Sequence, residues 1–175
     1  MPGGLITPSD NRYDDARRLW NGLLDPRPAA IAMCTNANDV AEAIAIARER
    51  RMTVSVRGGG HGVGGRASRD GGLTIDLRAM RSVAVDGVRR IARAGGGATW
   101  SEFDRATSAH GLAVTGGLIS STGIAGLTLG GGIGWLVRKH GLSCDSLIGA
   151  EVVTADATIR SVSVERDPDL FWALR

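Results

Sequence analysis

Residues 53–65, TVSVRGGGHGVGG, decide how the rest of the chain is read. Val54, Ser55 and Val56 have the β-branched character of a strand. A strand that runs into Gly58, Gly59 and Gly60 has reached a place where the backbone must turn tightly or come close to something. His61 then stands alone before Gly62, Val63, Gly64 and Gly65. An imidazole among glycines is unusual, because a loop that only cradled a phosphate would be served as well by another small residue. The stretch therefore implies a ligand, with His61 beside it.

Two familiar phosphate-binding patterns are tested against this loop and fail. GHGVGG, residues 60–65, fits GxGxxG literally, but a dinucleotide-binding turn must open a helix whose N-terminus faces the pyrophosphate. The adjoining residues, RASRDGGLTIDL, read as turn and strand instead. A P-loop is excluded because no glycine run is followed by Lys and then Ser or Thr. The geometry that survives is a nest of backbone N–H groups at a strand end, which binds an anion without a helix.

Working outward, AAIAMC reads as a strand, NANDVAEAIAIARERR as a helix capped by Asn36 or Asn38, and TVSV as the next strand. Residues 29–56 thus predict a βαβ unit with a parallel pair. Upstream, Ser9 or Asp10 is expected to cap a helix carrying Tyr13, Ala16, Arg17 and Trp20 and ending near Gly22. Downstream, LTIDL, SVAVD and RRIARA are short strands, and TWSEFDRATSAHG is a helix with a Thr99/Glu102 capping box and a stop at Gly111. LIGAEVVTADATIRSVSV predicts a hairpin turning at Asp156 and Ala157. RDPDLFWALR opens a helix with Asp167 as cap and Pro168 in its first turn, leaving Phe171 and Trp172 in need of cover. No stop signal comes after it, so the chain is expected to be cut inside a longer protein. The fold class is α+β with mixed sheets.

Composition narrows the function classes. The 175 residues are 43% hydrophobic and 22% charged, ordinary for a globular domain, whereas 26 glycines are about twice the usual share. The net charge of +3 comes from arginines interleaved with Asp and Glu, and four Trp, two Phe and one Tyr offer little for base stacking, which argues against a nucleic-acid partner. Residues 111–137 carry no charge, but nine glycines, each costing a helix about 1 kcal/mol relative to alanine, argue against a membrane span. That segment is expected to be buried loop and short helix lining a ligand. Cys34 and Cys144 form no CxxC pair and read as buried thiols of a reducing compartment; with no signal peptide apparent, the expected location is cytoplasmic. His110 and His140 show no metal-ligand spacing with His61, and Asp14, Asp15, Asp167 and Asp169 read as helix-start charges.

The blocks VSVRGGGHGVGG, GGLTIDLRAMRSV, ARAGGGATWSEFDRAT, GLAVTGGLISSTGIAGLTLGGGIGWLVRKHGLSCDSL and DPDLFWALR, in this order, resemble the FAD-binding domain of the vanillyl-alcohol-oxidase and para-cresol-methylhydroxylase superfamily, in its berberine-bridge-enzyme-like branch. The resemblance runs from about Pro28 to the last residue, leaving residues 1–27 as an N-terminal helical segment and 28–175 as the PCMH-type domain, with a βαβ-containing subdomain and a second mixed α+β subdomain. It implies that Arg57, Gly58, Gly59, Gly60, His61 and Gly62 wrap the FAD pyrophosphate. His61 would be bonded through a ring nitrogen to the flavin 8α-methyl. It also implies that Gly117, Ser121, Thr122, Gly123, Gly126, Gly131, Gly132 and Trp135 run along the ribityl chain and diphosphate, and that Val152 and Val153 contact adenine through their backbone. Some of these glycines are equally explained by close packing.

The family oxidises a small-molecule substrate by hydride transfer to flavin N5, with O₂ as the usual reoxidant, and its substrate domain and catalytic base come after the point where this chain stops. No catalytic residue is therefore assigned. Members with a doubly attached flavin carry a cysteine in the block that here reads GLISSTG, at about Ile119, so the resemblance implies a histidyl link alone. The plant enzymes have a histidine where this chain has Leu127. The main expectation is the FAD-binding portion of an FAD-linked oxidoreductase; the alternative is a flavin-binding module without turnover.

Overall fold

The computed structural model describes residues 4–175. Residues 1–3, which begin the expected N-terminal segment, lie outside the described residues. The chain divides into two compact units. The first holds the described residues up to Met80 together with Val153–Arg160, and the second holds Arg81–Val152 and Ser161–Arg175.

The first unit is built on a four-stranded sheet of β1 (Leu5–Ile6), β2 (Ala30–Met33), β4 (Leu73–Asp76) and β3 (Val54–Arg57), in that spatial order. β1 is antiparallel to β2, and β2 and β3 each run parallel to β4. The expected βαβ unit is present, with α2 (Ala37–Glu49) as its helix and Asn36 accepting the Asp39 N–H as cap. Its two strands do not pair with each other, because β4 inserts between them and takes the ladder bonds of both. Strand β1 has no counterpart in the sequence reading; a two-residue strand carries too short a pattern to be read.

Alternation along the strands makes two apolar layers. Ala30, Ala32, Leu73 and Ile75 pack with Cys34 and with Val40, Ala43 and Ala47 of α2. Ile31 faces the other way, onto Ile6, Tyr13 and Ala16. Strand β2, buried on both faces, therefore reads as the continuous apolar run AAIAMC. Edge strand β3 reverses the usual pattern, since Ser55 and Arg57 are buried and Val54 and Val56 exposed. Ser55 shares a hydroxyl bond with Thr74 (3.1 Å), and Ser68 reaches the same Thr74 oxygen (3.0 Å).

The first helix is shorter than expected. α1 spans Tyr13–Arg17, and Arg18 is already extended (φ −59°, ψ 132°). The Arg57 guanidinium explains the stop: it donates to the carbonyl oxygens of Ala16 and Arg18, which a longer helix would need for itself. Asp10 is not the helix cap either, but accepts from the Arg12 N–H (2.9 Å) and pairs with its guanidinium (2.7 Å).

In the second unit β5 (Val83–Asp86) and β6 (Ile91–Ala94) form an antiparallel hairpin against α3 (Trp100–Ser108). The Thr99/Glu102 capping box is present, and the chain turns off the helix through Gly111 at φ +66°. The expected buried segment 111–137 is mostly half-exposed or exposed, with only Thr115, Gly123, Gly132 and Gly134 buried. It contains one short helix, α4 (Ile124–Thr128), followed by α5 (Val137–His140). No helix among the described residues is long and apolar enough to cross a membrane. The expected hairpin is β7 (Gly149–Val153) with β8 (Ile159–Ser163), and Ala157 takes φ +66° at its turn. In α6 (Pro168–Ala173) Phe171 is buried and Trp172 is exposed, while Asp167 holds the cap position in the left-handed region (φ +53°) without capping the helix.

Candidate functional site

In the first unit the glycine loop leaves the end of β3 directly after Arg57, whose side chain turns inward and is 5% exposed. Burial, and then the neighbouring Arg78 cation, pull its pKa down to about 10, with Asp76 acting in the opposite direction. Arg57 thus remains a cation at neutral pH, beneath the loop. Arg78 forks onto the fully buried Asp76 (Nη2–Oδ2 2.7 Å, Nε–Oδ1 3.0 Å) and also donates to the Ala16 carbonyl (3.1 Å). Two arginines and one carboxylate therefore tie the ends of β3 and β4 to the end of α1.

Above Arg57 the backbone does what the glycines predict. Gly60 takes φ +72°, and a Cβ there would lie 3.1 Å from the Arg57 Nε. That Nε is buried and has no hydrogen-bond partner among the described residues. The N–H groups of Gly58, Gly59, Gly60 and Gly62 likewise donate to no backbone acceptor among the described residues. Backbone amides at a strand end that donate to no backbone acceptor among the described residues, next to a buried cation, can receive an anionic group.

His61 stands in this loop half-buried, its ring stacked on Trp20 with centroids 5.3 Å apart and planes 20° from parallel. The Trp20 backbone N–H donates to the Gly60 carbonyl (3.2 Å), and the Asn21 side-chain Nδ2 to the Val63 carbonyl (3.3 Å). Sequence reasoning placed Trp20 on a helix face and missed this contact. The indole is largely exposed, so no burial pattern marks it. Val153 packs against the α2 side of the sheet in the same unit.

In the second unit the segment 119–124 is moored to the start of α3. The Trp100 and Ser101 amides donate to the carbonyls of Thr122 (3.0 Å) and Ser120 (2.8 Å), the Ile124 amide donates to Ala98 (2.9 Å), and Gly123 bridges to Thr99. The turn bearing Ser121 and Thr122 is thereby fixed. Gly117 and Gly132 have a packing reason for lacking side chains: a Cβ on Gly117 would lie 2.6 Å from Leu127 and 3.0 Å from the Trp100 Nε1, and one on Gly132 would lie 2.6 Å from both Leu127 and Ser143. Gly126 faces open space, and Gly131 takes φ +95°. Trp135 is exposed and Val152 half-buried. Trp100 Nε1 and Thr115 Oγ1 are buried without a hydrogen-bond partner among the described residues.

The strand-end glycine loop and the glycine-rich turn both lie within a stretch that marks a nucleotide-cofactor-binding protein. Residues 28–163 match the FAD binding domain family, and the chain belongs to it. It is 39% identical over 175 residues to (R)-6-hydroxynicotine oxidase of Paenarthrobacter nicotinovorans, a match covering 100% of this chain and 38% of that relative. Among solved structures it superposes on 6-hydroxy-D-nicotine oxidase from Arthrobacter nicotinovorans with a TM-score of 0.98 at 38% identity, over 100% of this chain and 39% of that one. Glucooligosaccharide oxidase from Acremonium strictum, described as carrying a 6-S-cysteinyl, 8α-N1-histidyl FAD, matches with a TM-score of 0.93 at 35% identity, over 98% of this chain and 37% of that one. The chain thus spans less than two fifths of the relatives it matches. The fold expected from the resemblance, a PCMH-type FAD-binding domain of the berberine-bridge-enzyme-like group, is the fold observed.

Proposed function

We propose that this chain is the FAD-holding part of an FAD-linked oxidoreductase and that His61 carries the flavin through an 8α-histidyl bond. The observation that supports this best is the loop itself. The N–H groups of Gly58, Gly59, Gly60 and Gly62 donate to no backbone acceptor among the described residues, Gly60 lies against the buried Arg57 cation, and His61 stands in the same loop. The amides and the cation suit a diphosphate, and the imidazole supplies a nucleophilic nitrogen in the same loop. Ser121, Thr122 and the backbone of Gly117, Gly123, Gly126, Gly131 and Gly132 are assigned to the ribityl and diphosphate groups, Trp135 to the same stretch, and Val152 and Val153 to adenine.

When bound, FAD would supply the hydride acceptor for a small-molecule substrate, with O₂ as final oxidant. The chain's own residues bind and orient it. No second link through sulfur is assigned, because Cys34 and Cys144 are both buried. Burial, reinforced by Asp39, Asp76 and Glu42, pushes the Cys34 thiol up to about 12, so it is inert. Two such free thiols suit a cytoplasmic setting.

The test is FAD retention by the Gly60→Val variant. A β-branched side chain at φ +72°, pressed onto Arg57, displaces the amides from the cradle, and FAD retention is expected to be lost. Wild-type retention in this variant would remove the loop from the cofactor site.

A further inference from the structure

We infer that Trp20 is a positioning residue for flavin attachment, holding the His61 ring in the orientation from which its nitrogen meets the flavin; this rests on the FAD assignment proposed for the His61 loop. Three observations converge on it. The indole lies over the imidazole nearly parallel, at 5.3 Å. The backbone of the same residue is bonded to Gly60, the neighbour of His61 (3.2 Å), and Asn21 is bonded to Val63, two residues beyond it. Just upstream, the Arg57 guanidinium holds the carbonyls of Ala16 and Arg18. Residues 16–21 thus grip the loop at its start, its middle and its far side.

The chemistry explains why such a grip is needed. Attachment exchanges one hydrogen of the flavin 8α-methyl and the imidazole N–H for a C–N bond; the two hydrogens leave with two electrons, and dioxygen accepts them as hydrogen peroxide. The step demands that one ring nitrogen point at one carbon, and glycines on both sides leave His61 little support from its own backbone. A stacked aromatic ring restricts rotation about both side-chain torsions without occupying either ring nitrogen. It also accounts for a tryptophan that is 62% exposed yet engaged through both its backbone N–H and its ring. Trp20 precedes the stretch matched by the family, residues 28–163, so this device lies outside the matched region.

The experiment follows covalent attachment over time after FAD is added to apo-protein, by trapping samples in acid and reading flavin fluorescence on the denatured chain. Non-covalent FAD affinity is measured in parallel. Trp20→Leu keeps apolar bulk without a π face, and Trp20→Phe keeps a ring. Trp20→Leu is expected to slow attachment about two- to tenfold, the range that an aromatic pair is worth, with FAD affinity within about twofold. Trp20→Phe is expected to restore most of the rate. In apo-protein the His61 ring protons are expected to lie upfield and to move downfield in Trp20→Leu, a readout that needs no flavin. Wild-type attachment rates in Trp20→Leu, or equal slowing in both variants, would overturn the inference. Loss of FAD affinity in both would overturn it too, by making Trp20 a structural support of the loop. A wild-type protein that binds no FAD fails at the proposed function instead, and the inference falls with it.

Discussion

Gly134 and Gly116 meet backbone to backbone: a Cβ on Gly134 would collide with the Gly116 carbonyl oxygen. The glycine-rich segment of the second unit is therefore partly a packing device, in which two loop strands approach closer than any side chain permits. Gly134→Ala is expected to cost about 1–3 kcal/mol, as overpacking does. Melting should fall by roughly 3–10 °C. Gly126→Ala is the control, since nothing lies within 4 Å of its Cβ position and the residue sits in α4; it should be neutral or slightly stabilising. Equal melting temperatures for the two variants would contradict this reading of the segment.

Arg57 supplies the second prediction. Its guanidinium donates to two backbone carbonyls at the end of α1, and Arg57→Ala leaves the Arg18 carbonyl without that donor and the Ala16 carbonyl with Arg78 alone. A loss of about 1–3 kcal/mol is expected. Arg57→Lys should recover only part of it, because an ammonium does not reproduce the fork that reaches two carbonyls at once. Chemical denaturation of the three proteins checks the order. A lysine variant as stable as wild type would show that charge alone, not geometry, holds the segment.

The hairpin turn gives a pH dependence. A bond from the Thr154 hydroxyl, then one from the Thr158 N–H (3.1 Å), hold the Asp156 carboxyl down at about 2. A carboxyl whose folded pKa lies below its unfolded value stabilises the fold fully above about pH 4, and that stabilisation is lost as pH falls through about 2. The protection of the Thr158 amide against exchange, relative to its intrinsic rate at each pH, should fall across this window. In Asp156→Asn that fall should be absent, and its persistence would assign it to another carboxyl.

The sequence was most legible where local chemistry and tertiary structure agree. The Asn36 cap, the Thr99/Glu102 box, the α2 periodicity and the turn at Ala157 are each written in residues adjacent to the feature. The features that were not legible depend on partners far along the chain. The early end of α1 is set by Arg57, forty-one residues beyond Ala16. The place of β4 between β2 and β3 is set by strand pairing that the βαβ pattern does not encode. The burial of Ser55 and Arg57 in place of the valines arises from the hydroxyl and carbonyl groups awaiting them. At the site, the glycine loop announced itself, but Gly117 and Gly132 read alike as ligand contacts or as packing until Trp100, Leu127 and Ser143 were seen against them. Trp20 gave no signal, because an exposed aromatic stacked on a loop histidine has no sequence period.

The central claim, that His61 holds FAD by a covalent bond, is tested most directly by intact mass measurement of the denatured holoprotein beside His61→Ala. The account predicts a wild-type mass exceeding the sequence mass by one FAD less two hydrogens. His61→Ala should show the bare sequence mass after denaturation while still retaining some FAD beforehand, since the glycine amides remain. A wild-type holoprotein that releases all its flavin on denaturation, or a His61→Ala protein that keeps the added mass, would contradict it.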